Sequence, residues 1–133
     1  MNNIEHIGIA VKDLESAKRT FAKLLGTESY KEEHVESEGV STAFFDVGGV
    51  KIELLQATNP DSSIAKFIDK RGEGIHHIAF AVDSVAAKGK NLREEGFVVL
   101  NDSEKEGADN KLINFIHPKS SHGVLVEICQ DKV

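Results

Sequence analysis

The 133-residue chain has no tryptophan, one tyrosine, one cysteine and two prolines. Without tryptophan, and with aromatic residues at 6% of the chain, it lacks the platforms on which a base-stacking surface is built. Positive charge is also scarce: 16 lysines and arginines against 22 acidic residues leave a net charge of −6. That balance excludes nucleic acid as an expected partner, because binding a polyanion requires a basic face. It does not exclude an anionic small molecule, since local lysines can override the overall sign. A single cysteine, Cys129, rules out an intrachain disulfide and suits a reducing cytoplasm. No apolar run approaches the roughly twenty residues of a membrane span. The opening MNNIEH shows neither a basic nor an apolar signal region, so no secretory leader is expected. A length of this size predicts one domain, 1–133.

What the chain does have is repetition. HIGIAV at His6 returns as HIAFAV at His77, 71 residues later, and GGVKIELLQ from Gly48 returns as HGVLVEICQ from His122. Asp13 and Ser84 occupy equivalent positions and are both good helix N-caps. After the first cap, Leu14, Ala17, Phe21, Leu24 and Leu25 form an apolar helical stripe, with Gly26 as the stop. The second helix is interrupted by Gly89 and closed by Gly96. Strands are predicted at about 28–35, 41–47 and 50–56, with a Gly48-Gly49 hairpin, and again at about 97–101, 112–117 and 123–130. A short helix near SIAKFIDKR, closed by Gly72, lies in the connection. The chain therefore reads as an α+β fold of two βαβββ modules, approximately 1–56 and 75–131. Their mixed sheets are expected to pair and so cover edges and faces.

Strand alternation puts His6, Gly8 and Ala10 on one face and Ile7, Ile9 and Val11 on the other. His77, Ala79 and Ala81 oppose Ile78, Phe80 and Val82 in the same way. The bulky face is expected to meet the helices, while small residues line the histidine face. Glu53 and Glu127 sit within apolar strands at equivalent positions. A buried, unpartnered carboxylate costs several kcal/mol, and a lone strand glutamate is ordinarily a residue of the wet face. Two glutamates, each matched to a histidine by the repeat, point instead to a metal site of His6, Glu53, His77 and Glu127. Two neutral imidazoles and two carboxylates balance a divalent ion. Nitrogen and oxygen donors without thiolate suit zinc, cobalt, nickel, manganese or iron. His76 has the wrong parity for a ligand. His34, His117 and His122 fall near strand ends or turns.

The H…E…H…E order on paired modules resembles the vicinal oxygen chelate superfamily, which includes glyoxalase I, extradiol dioxygenases and bleomycin-resistance proteins. Within it, HIGIAVKDLESAKRTFAKLLG, VKIELLQATNPDSSIAKFIDKRGEGIHHIAFAVDSV and INFIHPKSSHGVLVEI most resemble methylmalonyl-CoA epimerases. These stretches cover well over half of the chain, in order. The resemblance implies a glyoxalase-like fold around a metal, a homodimer, and an acyl-CoA substrate epimerised at C2. It also implies an enolate whose charge the metal stabilises. Carried over by position, the ligands are again His6, Glu53, His77 and Glu127. Some members have glutamine as the second ligand, so Glu53 makes this site closer to glyoxalase I.

Epimerisation needs an acid–base group on each face of C2. Glu127 is the first of them. The resemblance places the second, a glutamate, at or near Thr42, with Glu36 and Glu38 in the preceding loop and Glu53 an alternative by symmetry. Lys119, in HPKSS, is the expected contact for the coenzyme A phosphates. The rival activities are a glyoxalase I type isomerase and a bleomycin-resistance-type binding protein without catalytic metal. Four competent ligands argue against the latter, and against a ring-cleaving dioxygenase, which needs open positions.

Overall fold

The computed structural model describes residues 1–132. The described residues form eight strands and three α-helices. In chain order these are β1 (Asn3–Ala10), α1 (Leu14–Leu25), β2 (Lys31–Val35), β3 (Val40–Val47), β4 (Val50–Ala57), α2 (Ser63–Arg71) and β5 (Gly74–Ala81). They continue with α3 (Val85–Glu94), β6 (Lys105–Glu106), β7 (Lys111–Ile116) and β8 (Val126–Asp131). The contacts divide into two compact units: His6–His76, and Met1–Glu5 together with the residues from His77 onward.

In the first unit the strands run in the order β2-β3-β4-β1, with β1 parallel to β4 and the other neighbours antiparallel. The hairpin between β3 and β4 turns on Gly48 and Gly49, whose φ angles are 61° and 93°. Two consecutive left-handed residues make the tight turn that matches strand twist, which glycine adopts without steric cost. Asp46 accepts a hydrogen bond from the Gly49 amide across it. Helix α1 packs on β3 and β4. Its Leu14, Ala17, Phe21 and Leu25 meet Ile9, Val11, Ala43, Phe45 and Leu54, so the bulky face of β1 does point to the helix. Leu24 does not join them. It is 72% exposed, because it lies at the margin of the stripe in the last turn, where the neighbouring Leu25 takes the sheet-facing position.

The second unit repeats the plan in the order β5-β8-β7-β6, again with one parallel pair, β5 and β8. Val82 and Val85 pack with Ile128, and Leu92 packs with Val99 and Ile116. Both helices begin alike. Asp13 accepts from the Ser16 amide and Ser84 from the Ala87 amide. The glutamine one residue before the end of each repeated strand adds a second cap. Gln56 accepts from the Leu14 amide at 2.6 Å, and Gln130 from the Val85 amide at 2.7 Å. Two of the free amides in each first turn are thus satisfied by the repeated sequence.

Three predicted boundaries change. Residues 97–101 form only an isolated bridge, Val99 to Ile116, and the edge strand is β6 instead. The reason is local: side chains compete for the backbone there. Ser120 Oγ accepts from the Val98 amide, Asn114 Oδ1 from the Asn101 amide, and Arg93 donates to the Asn101 carbonyl. Strand β8 starts at Val126 and not at 123. The turn before it uses the Gly123 amide for Pro118 and the Ser121 hydroxyl for the Val124 carbonyl. Strand β2 starts at Lys31, three residues later than expected. Helix α2 forms as predicted, capped by Ser62 and closed by Gly72, and packs on β4.

Candidate metal and proton-transfer site

Parallel pairing sets each histidine beside its glutamate. In the first unit Gly8 lies opposite Glu53, so His6, two residues before Gly8, shares that face of the sheet. Nε2 of His6 is 3.3 Å from Oε1 of Glu53, and the residues are 6% and 4% exposed. In the second unit Ala79 lies opposite Glu127, which puts His77 in the equivalent place. Nε2 of His77 is 3.4 Å from Oε1 of Glu127, at 4% and 5% exposure. Gly8, Ala10 and Ala79 are buried beside these pairs, as the small-residue face requires. The structure therefore pairs His6 with Glu53 and His77 with Glu127, by the same register in each unit.

The donor chemistry fits a divalent ion. Two ligand atoms at bond lengths of about 2.1 Å lie roughly 3.0 Å apart at a right angle and roughly 3.4 Å apart at a tetrahedral angle. The observed separations of 3.3 and 3.4 Å fall in that span. His6, His77 and Glu127 are buried and each offers one ligand atom to a metal ion. Imidazole and carboxylate donors without thiolate define a site for a divalent metal and select none.

A phenylalanine accompanies each glutamate on the neighbouring antiparallel strand: Phe44 opposite Glu53, and Phe115 opposite Glu127. The Phe115 ring stands perpendicular to His77, centroids 6.0 Å apart. With Ala79, Ile113 and Cys129 it forms an apolar wall, in which Cys129 is wholly buried. These phenylalanines were not singled out from sequence. Phe44 precedes its glutamate by nine residues and Phe115 by twelve, because the two hairpins differ in length.

The remaining predicted residues are placed as follows. Thr42 is fully buried in β3, and its hydroxyl reaches the Glu33 carbonyl at 3.5 Å. Glu36 and Glu38 form a single 3-10 turn between β2 and β3. Lys119 is exposed in the 3-10 turn Pro118–Ser120, and its backbone amide donates to Nδ1 of His117. His76 turns away from the histidine face as its parity predicts: it meets the Phe67 ring of α2 edge-on at 5.0 Å. Burial there pushes its pKa down to about 4.

Comparison with known proteins places the fold in a family. The family model of the glyoxalase/bleomycin resistance protein/dioxygenase superfamily matches residues 5–115. An ethylmalonyl-CoA/methylmalonyl-CoA epimerase of Cereibacter sphaeroides is 38% identical over 132 residues, 98% of this chain and 98% of its own. An uncharacterized protein of Bacillus subtilis is 37% identical, over 99% of this chain and 94% of its own. Among solved structures, a variant of the Streptomyces coelicolor methylmalonyl-CoA epimerase in complex with 2-nitronate-propionyl-CoA superposes with a TM-score of 0.93. That pair shares 35% identity and covers 100% of this chain and 99% of the other.

Proposed function

The chain belongs to the glyoxalase/bleomycin resistance protein/dioxygenase superfamily and, within it, to the methylmalonyl-CoA epimerases, and from that premise we propose that it interconverts the C2 epimers of methylmalonyl-CoA. The observation that carries the reading is the duplicated, buried histidine–glutamate pair on a fold shared at full length with enzymes of that name. In this reading His6, Glu53, His77 and Glu127 together hold one divalent ion. When bound, that ion supplies Lewis-acid stabilisation for negative charge developing at the thioester oxygen.

The chain's own residues do the rest. The C2–H bond breaks as its proton passes to a carboxylate oxygen of Glu127, and the electron pair moves toward the thioester oxygen. A second acid on the opposite face then donates a proton to C2, where the electron pair returns from the thioester oxygen to form the new C–H bond and complete the inversion. Glu127 suits the first role because its carboxylate sits against the apolar wall of Phe115, Ile113 and Cys129, which excludes bulk water from the transfer. Thr42 does not take the second role: a hydroxyl of ordinary acidity is too weak a base, and this one is buried against a carbonyl. Lys119, exposed on its turn, serves as a contact for coenzyme A phosphate. The reading takes residues 1–133 as one domain of two modules, working as a homodimer in the cytoplasm.

Incubating (2S)-methylmalonyl-CoA with metal-loaded protein should yield a mixture with the (2R) epimer, and chelator should stop the conversion. Retention of the pure (2S) form at full metal occupancy overturns the proposal.

A further inference from the structure

Inversion at C2 needs a proton acceptor on one face of the carbon and a donor on the other, and Glu127 serves one of them. We propose that Glu33, on the edge strand β2, is the second acid–base group. The proposal rests on the epimerase reading and completes its proton path.

Strand register carries the assignment. Glu53 lies opposite Phe44, and Phe44 lies opposite Lys31. Alternation puts Glu33, two residues beyond Lys31, on that same face of the sheet, which is also the face of His6. Glu33 pairs directly with Thr42 and is a diagonal neighbour of Phe44, a spacing of about 7–8 Å that long side chains bridge. Glu33 and Glu53 thus stand on the two strands that flank Phe44. Burial follows the same alternation: Glu33 is half-buried, whereas Glu32 and His34 beside it are exposed. Lys31 Nζ lies 5.9 Å from the Phe44 ring centroid and 3.7 Å from Glu33 Oε1, so the ammonium draws the carboxylate toward the ring. Thr42 is wholly buried and its hydroxyl is turned to the Glu33 carbonyl. A side chain of that size leaves the Glu33 carboxylate room to extend over β3.

Neighbouring carboxylates are otherwise engaged. Asp46 shares the face, but it is exposed at the hairpin end and accepts from the Gly49 amide. Glu32 points to the other face, where Lys18 of α1 binds it. In the second unit the edge strand puts Lys105 on the face of Phe115, and Glu106 alternates away to Lys132. Among the described residues, Glu33 is therefore the edge-strand carboxylate that faces a histidine–glutamate pair.

From one epimer, ionised Glu127 takes the C2 proton and protonated Glu33 delivers its own to the opposite face. The step ends with Glu127 protonated and Glu33 ionised. The other epimer runs the same transfers in reverse, and exchange with water resets both groups.

The test follows deuterium uptake at C2 and configuration separately, starting from (2S)- and from (2R)-methylmalonyl-CoA in D2O with metal-loaded Glu33→Gln. Epimerisation should fall about 10²-fold or more. The epimer whose C2 proton faces Glu127 should still exchange it, within about tenfold of the wild-type rate and with configuration retained, while the other epimer should not exchange. The thermal shift on metal binding should match wild type, because Glu33 is no ligand. Epimerisation within about tenfold of wild type, or an equal loss of exchange from both epimers, overturns the assignment of Glu33 and leaves the epimerase reading standing. If wild type neither exchanges nor epimerises either substrate, the epimerase reading fails and the proposal falls with it.

Discussion

Replacing Glu53 and Glu127 one at a time by glutamine separates holding a metal from moving a proton. Each glutamate stands alike to its own histidine, in the same register, at 3.3 and 3.4 Å and with burial within one percentage point, but only Glu127 joins His6 and His77 in a candidate ligand set. If both are ligands, both variants should lose a similar share of metal affinity, because an amide oxygen still donates but without charge. Saturation at a hundred times the dissociation constant stabilises a protein by about 2.7 kcal/mol. For a chain of this size, at about 4 °C per kcal/mol, that is a rise in Tm of about 10 °C. A tenfold weaker ligand set removes about 1.4 kcal/mol, so each variant should show roughly half the metal-dependent shift. Turnover should divide them. Loss of a general base costs about 10²- to 10⁴-fold, or roughly 3–5 kcal/mol of barrier, and only Glu127→Gln should show it. Glu53→Gln should stay within about tenfold of wild type, as a lost ligand charge alone would give. Differential scanning fluorimetry with and without chelator, beside a turnover assay, reads both effects. A loss in Glu127→Gln no larger than a ligand effect alone would refute Glu127 as the proton carrier, and an equally large loss in Glu53→Gln would make Glu53 the group on the second face. No thermal shift in wild type would refute the metal site.

Other outcomes follow from the fold. Gln56→Ala and Gln130→Ala each remove a cap hydrogen bond at a helix start, so each should cost about 1 kcal/mol, additively in the double variant by thermal denaturation. Phe45→Ala, emptying a wholly buried site against Phe21, should cost about 3–5 kcal/mol in a urea titration. Thr42→Val should retain turnover, because the buried hydroxyl is turned to the Glu33 carbonyl; loss of activity with an intact fold would restore Thr42 as a participant. The Lys18 ammonium is held above its usual pKa by hydrogen bonding to Glu32, then to Glu15. Its contribution is present in full below pH 10.5 and lost as pH rises through the folded value. Lys18→Met should therefore flatten the alkaline limb of the stability curve, by less than about 1 kcal/mol.

The repeated strings carried most of what was legible. HIGIAV and HIAFAV fixed both histidine faces through strand alternation, and the parity that excluded His76 holds in its contact with Phe67. Asp13, Ser84 and Gly26 marked helix ends because capping is local chemistry, readable within four residues. What escaped depends on pairing across strands. The rows Lys31–Phe44–Glu53 and Phe115–Glu127 exist only once the hairpin lengths set the register. Residues 97–101 have strand composition, yet Ser120, Asn114 and Arg93 satisfy that backbone from a distance in sequence. Leu24 shows the same limit on a helix, since the margin of a stripe is decided by how far the sheet beneath it extends.

The most direct test of the central claim follows the C2 proton itself. Proton NMR of metal-loaded protein with methylmalonyl-CoA in D2O should show the C2 signal disappearing at an enzymic rate, with chelator or Glu127→Ala abolishing the loss. A C2 proton that persists, with turnover of the methylglyoxal–glutathione adduct instead, would contradict the account and make this chain a glyoxalase.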